Sequence, residues 1–286
     1  MTQIPARHTI PPGLVTQADH EQHARTQLDD NAWAYFSGGA ADEISLRANR
    51  SAWDALPLWP RMLRPLAGGH TRVPLLGRTL AHPVLLAPVA FQRLAHPDGE
   101  LAMAYAAAAL GAGVVLSTQA SVSLESVAQA VLPDPGRGPL WFQLYLQPDR
   151  GFTQALVQRA EAAGYEALVL TVDAPTSGVR DRERRAGFRL PSGVGPVNLA
   201  GLQTPASPPL SPGQSALFDG LLHHAPTWDD IAWLQSITRL PVLLKGVLHP
   251  ADARQAVSVG AAGLIVSNHG GRTLDPAPAT ATALPR

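Results

Sequence analysis

Cysteine is absent from all 286 residues, which removes disulfides, thiolate nucleophiles and Cys-ligated zinc or iron–sulfur centres, and with them any reason to expect a disulfide-stapled secreted scaffold. An excess of either charge is absent too, since 22 Lys+Arg stand against 22 Asp+Glu. A balanced chain gives no electrostatic ground for nucleic acid or an anionic membrane surface as a partner, and neither is expected. No apolar run reaches the roughly 18 residues of a membrane span. Met1 to Arg25 is polar, with Asp19, His20, Glu21 and His23 where a signal peptide would carry its apolar core, so a cytoplasmic chain is expected. What remains is a length and a 45% hydrophobic content that suffice for one domain spanning residues 1–286.

Short apolar runs recur along that length: Val84-Leu85-Leu86-Ala87, Val114-Val115-Leu116, Leu140-Trp141-Phe142, Leu168-Val169-Leu170, Val242-Leu243-Leu244 and Gly263-Leu264-Ile265-Val266. Each reads as a buried strand. Helical material fills most gaps, over Glu100 to Leu110, Ser123 to Val131, Phe152 to Ala163, Thr227 to Thr238 and Ala251 to Val259. In the last, Ala253, Ala256, Val257 and Gly260 recur at i, i+3, i+4 and i+7, and Pro250 suits the first turn. Thr227 followed by Asp230 resembles an N-cap with a first-turn acid. Near-continuous apolar strands alternating with helices predict a parallel α/β sheet.

The polar residues separate a barrel from an open sheet. Pro88 and Gln92 follow the first run, Ser117 the second, Gln143 and Tyr145 the third, Thr171 and Asp173 the fourth, Lys245 the fifth, and Ser267 with His269 the sixth. A ring of functional groups at strand C-termini is how a (β/α)8 barrel builds its site, and the Gly-rich dinucleotide fingerprint of a doubly wound sheet is missing. The barrel is therefore expected over residues 81–286, preceded by helices and a capping segment over 1–80, with Trp33, Tyr35, Phe36 and Trp53 available to cap one barrel end. Residues 187–225, rich in Pro, Gly, Ser and Leu, cannot be one regular element; a lid and a disordered insertion are both open.

The richest stretch is Ser267-Asn268-His269-Gly270-Gly271-Arg272-Thr273-Leu274-Asp275, a titratable His and a fixed Arg on a double-Gly turn at a strand's end. Residue type alone leaves alternatives: His269 as an ordinary loop residue, Lys245 as a solvated strand end or a Schiff-base lysine of an aldolase-type barrel, Asp173 as a turn residue, Tyr35 as core, and Arg180 within Arg180–Arg185 as part of a solvated charged helix face.

Taken with Leu244-Lys245-Gly246-Val247, that stretch resembles the FMN-dependent 2-hydroxy acid oxidases and dehydrogenases. Further segments resemble the family in its own order: Tyr35-Phe36-Ser37-Gly38-Gly39-Ala40, Pro60-Arg61-Met62-Leu63-Arg64, Ala87-Pro88-Val89-Ala90-Phe91-Gln92, His96-Pro97-Asp98-Gly99-Glu100, Trp141-Phe142-Gln143-Leu144-Tyr145 and Leu170-Thr171-Val172-Asp173-Ala174-Pro175. The resemblance implies a (β/α)8 barrel, FMN as cofactor, no metal, and oxidation of an (S)-2-hydroxy acid, lactate-like or aryl, to the 2-oxo acid with oxygen or quinone as electron acceptor; a homo-oligomer is compatible with it. It implies His269 as the base, Asp173 as the partner that stabilises its imidazolium, and Tyr145 bonding the substrate's 2-oxygen. Tyr35, Arg180 and Arg272 would hold the carboxylate. Around the flavin it implies the Pro88-Val89-Ala90 backbone, hydrogen bonds from Ser117, Gln143, Thr171 and Ser267, and Lys245 beside the edge that gains negative charge on reduction.

Two departures qualify the pattern. Gln119 stands where several family members carry an aromatic, which implies a reshaped substrate pocket. Family members also continue past Ala279-Thr280 to Leu284-Pro285 into two more strands, whose Asp-Gly-Gly and Gly-Arg turns hold the FMN phosphate. The expectation is a C-terminally truncated barrel lacking its last two strand–helix units, with an inactive or weakly FMN-binding fragment as the alternative outcome.

Overall fold

The computed structural model describes residues 10–203, 210–222 and 225–286. Three helices lead in, α1 (Gln17–Gln27), α2 (Asp30–Ser37) and α3 (Ile44–Asp54), followed by an antiparallel hairpin of β1 (Val73–Leu75) and β2 (Arg78–Leu80). Then come β3 (Leu85–Leu86), α4 (Glu100–Ala109), β4 (Gly113–Leu116), α5 (Leu124–Val131), β5 (Leu140–Leu144), α6 (Arg150–Ala163), β6 (Ala167–Thr171), α7 (Asp181–Arg185), α8 (Trp228–Ser236), β7 (Val242–Val247), α9 (Pro250–Ser258), β8 (Gly263–Val266) and α10 (Thr280–Ala283). Strands β3 to β8 form one parallel sheet in sequence order, each pairing with its successor. Sequential parallel order with a helix after each strand is barrel winding, and the sheet curls as part of such a barrel.

Side-chain alternation sorts the sheet into two faces. Even-numbered residues such as Leu116, Phe142, Leu168, Leu170 and Leu244 pack against the helices in the main core. Their odd-numbered neighbours Val115, Trp141, Ala167, Val169 and Leu243 form a second cluster on the opposite face, joined by Leu75 of β1. Fully burying each large side chain contributes about 1.5–3 kcal/mol, so the five-residue β5 and β6, buried at every position, carry much of the fold.

Helix boundaries follow local chemistry. Ser123 and Asp149 accept from first-turn amides of α5 and α6, Asp230 accepts from both Thr227 N–H and Thr227 Oγ1 at the start of α8, and Gly164 ends α6 in the left-handed region.

Several expectations need correcting. Lys245 does not end its strand: β7 runs on to Val247 through a bulge at Gly246, with Lys245 registered between Thr171 and Ile265. Strand β3 is two residues long, and the strands of the β1–β2 hairpin before it are too short to show a period in the sequence. Val257 and Trp53 are exposed, so neither belongs to the apolar faces expected of them. In the insertion, Pro205, Pro208 and Pro209 lie outside the described residues, while residues 194–203 are fastened to the barrel. Val197 N–H donates to the Ala120 carbonyl, and buried Asn198 accepts from Leu124 N–H.

Candidate active site

Continuing the odd-numbered rows to the C-terminal strand ends changes their chemistry from apolar to polar. Ser117, Gln143, Thr171 and Lys245 all lie on that face, and all are buried. The first three are wired together: Ser117 Oγ donates to Gln143 Oε1 at 3.3 Å, Thr118 N–H donates to the same oxygen at 3.1 Å, and Gln143 Nε2 donates to Thr171 Oγ1 at 3.0 Å. Burial pushes the Lys245 ammonium below its ordinary pKa, opposed by the charge of Asp173. Buried Asp173 Oδ2 has no hydrogen-bond partner. A buried cation, an unsatisfied carboxylate oxygen and a row of donors and acceptors on one face fit the polar edges of a flavin, the group that the family resemblance implies. Pro88 and Ala90 sit half-buried on the loop beyond β3 with Val89 exposed, and Phe91 N–H donates to the Gln119 carbonyl at the end of β4.

His269 follows β8 on a single 3-10 turn whose residues His269, Gly270 and Gly271 all have positive φ, at 57°, 67° and 71°. Its amide is held by Ser267 Oγ at 2.9 Å. The imidazole Nδ1 lies 2.7 Å from Asp173 Oδ1, and Nε2 lies 3.5 Å from the Tyr145 hydroxyl. Asp173 reaches that position because residue 246 is glycine: a Cβ there would meet the Asp173 Cβ at 2.4 Å, at a φ of 112°. A carboxylate on Nδ1 fixes the ring so that Nε2 is the free nitrogen. Burial, and then the Asp173 charge, push the Tyr145 phenol up to about 12, so it remains a neutral donor in any physiological buffer.

His269, Tyr145, Gln119, Thr171 and Arg180 line one cavity of about 400 Å3, with Leu146, Leu199, Ala225 and Pro226 among its apolar walls. Gln119 thus lines the same cavity as Tyr145 and His269.

Tyr35 and Arg272 stand beside that cavity. The Arg272 guanidinium lies over the Tyr35 ring, 5.1 Å from its centroid, and the ring stacks on Phe188 at 4.9 Å. One terminal nitrogen of Arg272 donates to the Tyr35 carbonyl at 2.7 Å and to the Gly38 carbonyl; the other donates to Glu183 at 3.0 Å. Both hydrogens of the first terminal nitrogen and one of the second are thus engaged within the protein. Nε and one hydrogen of the second nitrogen remain. Burial lowers the Arg272 pKa from its ordinary value, and the Arg180 charge lowers it further.

Four acids carry the assembly without having been given roles from sequence. Glu183 bridges Arg272 and Arg180. Glu100, fully buried, accepts from Gln92 N–H, Ser121 N–H and Ser121 Oγ, tying the loop after β3 to the loop after β4. Asp275 accepts from Ile44 and Ser45 N–H at the start of α3, and Glu43 pairs with Arg182. Their contacts run up to 231 residues in sequence, which no local spacing reveals. Among the described residues, no group of three or more His, Cys, Asp or Glu could hold a metal ion, and no helix is long and apolar enough to cross a membrane.

Comparison with known proteins bears on the family and the fold. Residues 24–286 match the family model described as FMN-dependent dehydrogenase. The chain is 50% identical over 276 residues to the L-lactate oxidase of Alicycliphilus denitrificans, covering 96% of this chain and 74% of that protein. It is 41% identical to glycolate oxidase 3 of Arabidopsis thaliana, over 93% of this chain and 71% of the relative. The crystal structure of mandelate oxidase with (S)-2-phenylpropionate superposes with a TM-score of 0.80 at 42% identity, covering 93% of this chain and 72% of that one. With a family match over most of its length, relatives at half identity and a shared barrel fold, the chain belongs to the FMN-dependent 2-hydroxy acid oxidase family.

Proposed function

We propose that the chain oxidises an (S)-2-hydroxy acid of the lactate or aryl type to the 2-oxo acid, with His269 as base and oxygen or quinone as the final electron acceptor. The observation that carries this reading is the Asp173–His269 contact at 2.7 Å, which leaves Nε2 directed to Tyr145 at the wall of a cavity that Arg180 also lines. Oxidation at the 2-carbon releases two electrons and two protons. One proton passes to His269 Nε2, and the adjacent Asp173 carboxylate stabilises the imidazolium that results. FMN, when bound, supplies the sink for the electron pair and the second proton.

The remaining residues orient and hold. The Tyr145 hydroxyl, neutral because its pKa lies at about 12, donates to the substrate's 2-oxygen. Arg180, the free Nε edge of Arg272 and the Tyr35 hydroxyl hold the carboxylate, and the desolvated surroundings strengthen each charge-assisted bond. Pro88, Val89, Ala90, Ser117, Gln143, Thr171 and Ser267 would hold the flavin, and Lys245 would present positive charge to it. The apolar walls Leu146, Leu199 and Pro226 favour a substrate side chain of hydrocarbon character, while Gln119 provides one polar contact.

The test is a visible spectrum of the purified protein with FMN, followed by anaerobic addition of lactate, glycolate or mandelate. A yellow protein that bleaches with at least one of them is the expected result. Colourless protein, or bound flavin that none of the three reduces, would overturn the reading.

A further inference from the structure

The two arginines of the carboxylate clamp come from different parts of the chain, Arg180 from the N-terminal boundary of α7 and Arg272 from the turn after β8. Like charges at close range repel, and Arg180 does lower the pKa of Arg272. Something must hold them together before a substrate anion arrives. One oxygen of Glu183, Oε1, accepts from Arg180 Nη1 at 3.3 Å and from Arg272 Nη2 at 3.0 Å, and the acid's side chain is only 13% exposed.

From this geometry we infer that Glu183 is a positioning residue for substrate binding, holding Arg180 and Arg272 in register behind the carboxylate site; the inference rests on the proposed hydroxy acid oxidation. Glu183 does not occupy the substrate's own place. The cavity containing His269, Tyr145 and Gln119 is lined by Arg180 and not by Glu183. Glu183 lies on the other side of Arg180, in an open cleft of about 740 Å3 with Gly187, Phe188 and Arg189. The acid therefore backs the arginines. Without it, Arg180 would be free to swing into that cleft, away from its like-charged neighbour. Charge also matters: two guanidiniums and one carboxylate leave the trio with a single net positive charge, which one substrate carboxylate neutralises. Arg272 is anchored separately by the Tyr35 and Gly38 carbonyls, whereas Arg180 has, besides Glu183, a single contact of 3.5 Å from Nε to the Arg272 carbonyl, so Arg180 is the side chain that depends more on Glu183.

The experiment compares the FMN-loaded wild type with Glu183→Ala, Glu183→Gln and Glu183→Asp, using whichever of lactate, glycolate and mandelate reduces the flavin fastest, and measures the dissociation constant of the matching 2-oxo acid by calorimetry. Loss of a charge-assisted contact predicts a KM and a product dissociation constant raised about tenfold or more in Glu183→Ala and less in Glu183→Gln, with kcat changing by less than about threefold. Glu183→Asp, which keeps the charge, recovers most of the affinity. Thermal unfolding of each variant separates this from loss of fold. Unchanged or tighter binding in Glu183→Ala and Glu183→Gln, with wild-type turnover intact, would overturn the positioning role alone. A wild type that no hydroxy acid reduces removes the proposed function, and this inference with it.

Discussion

The strand-borne half of the site and the loop-borne half are built by different means. Gln143, Thr171 and Lys245 are carried by adjacent parallel strands and Ser117 directly follows another, so the ladder and its two-residue alternation set their direction, and side-chain hydrogen bonds from Ser117 through Gln143 to Thr171 complete the row. Tyr35, Arg180, His269 and Arg272 stand outside the sheet. They are brought together by polar contacts across more than 90 residues of sequence: Arg272 to the Tyr35 carbonyl, Asp173 to His269, Asn49 to Asn268 and Ala40 N–H to the Gly271 carbonyl. The strand-borne residues that would face the cofactor thus rest on the sheet and its hydrophobic core, and the loop-borne residues that would handle the substrate rest on hydrogen bonds between segments far apart in sequence. The lesson is that substrate chemistry in this chain should be separable by mutation from fold and flavin binding.

The sharpest test of that separation is His269→Gln. Removing a positioned base lowers the rate by roughly 100- to 10,000-fold, so anaerobic flavin bleaching should slow by that factor. Flavin absorbance and the unfolding temperature should stay close to wild type, because no strand residue is touched. Equal loss of bound flavin in this variant would break the comparison.

Phe142→Ala probes the other half. Phe142 is fully buried on β5 and packs edge-on against Tyr165 at 5.6 Å. Truncating a core phenylalanine costs about 3–5 kcal/mol, read in chemical denaturation. Since Gln143 is its neighbour in the strand, flavin binding should weaken along with stability, and bleaching should fall only in proportion to the flavin lost.

Gly271→Ala acts on the seam between the halves. A Cβ on residue 271 would stand 2.6 Å from Leu46 N and 2.9 Å from its Cα, at a φ of 71° that disfavours any side chain. Backbone strain and overpacking together predict about 2–4 kcal/mol. The loop carrying His269 and Arg272 should shift from α3, so KM should rise in this variant while bound flavin changes little.

The same division explains what the sequence made legible. Apolar runs with helices between them indicate six parallel strands, and a polar residue at the end of each run indicates the strand-borne half, because both signals are local and periodic. Asp275 shows where that stops. It belongs to the most informative stretch of the chain, yet its partners are the amides of Ile44 and Ser45, and no spacing links those positions. Glu183 likewise reads as one charge in the run Arg180–Arg185, and only tertiary structure shows it turned inward between two arginines. The bulge that carries β7 past Lys245 is hidden for another reason: the polar Lys245 ends the apolar run, and only the packing of the Asp173 side chain against Gly246 shows why the strand continues through a glycine.

Asp275 also supplies the mildest perturbation, and one with a pH signature. Its carboxylate caps α3 from outside the helix, bonding Ser45 N–H at 2.7 Å and Ile44 N–H at 3.1 Å, a position favoured by the helix dipole. Burial acts to raise its pKa, but the Ser45 and Ile44 amides outweigh that and hold it below the ordinary value. A depressed pKa in the folded state means that the stabilisation is present above the unfolded-state value near 3.8 and is lost as pH falls through the lower folded value. Asp275→Asn keeps the size and one acceptor oxygen but not the charge. It should cost about 1 kcal/mol at neutral pH, and the difference from wild type should shrink on titration below the ordinary carboxylate range. A gap that stays constant down to the lowest pH at which both proteins remain folded would mean that the α3 amides do not distinguish carboxylate from amide. The loop-borne half would then be held by shape rather than by charge.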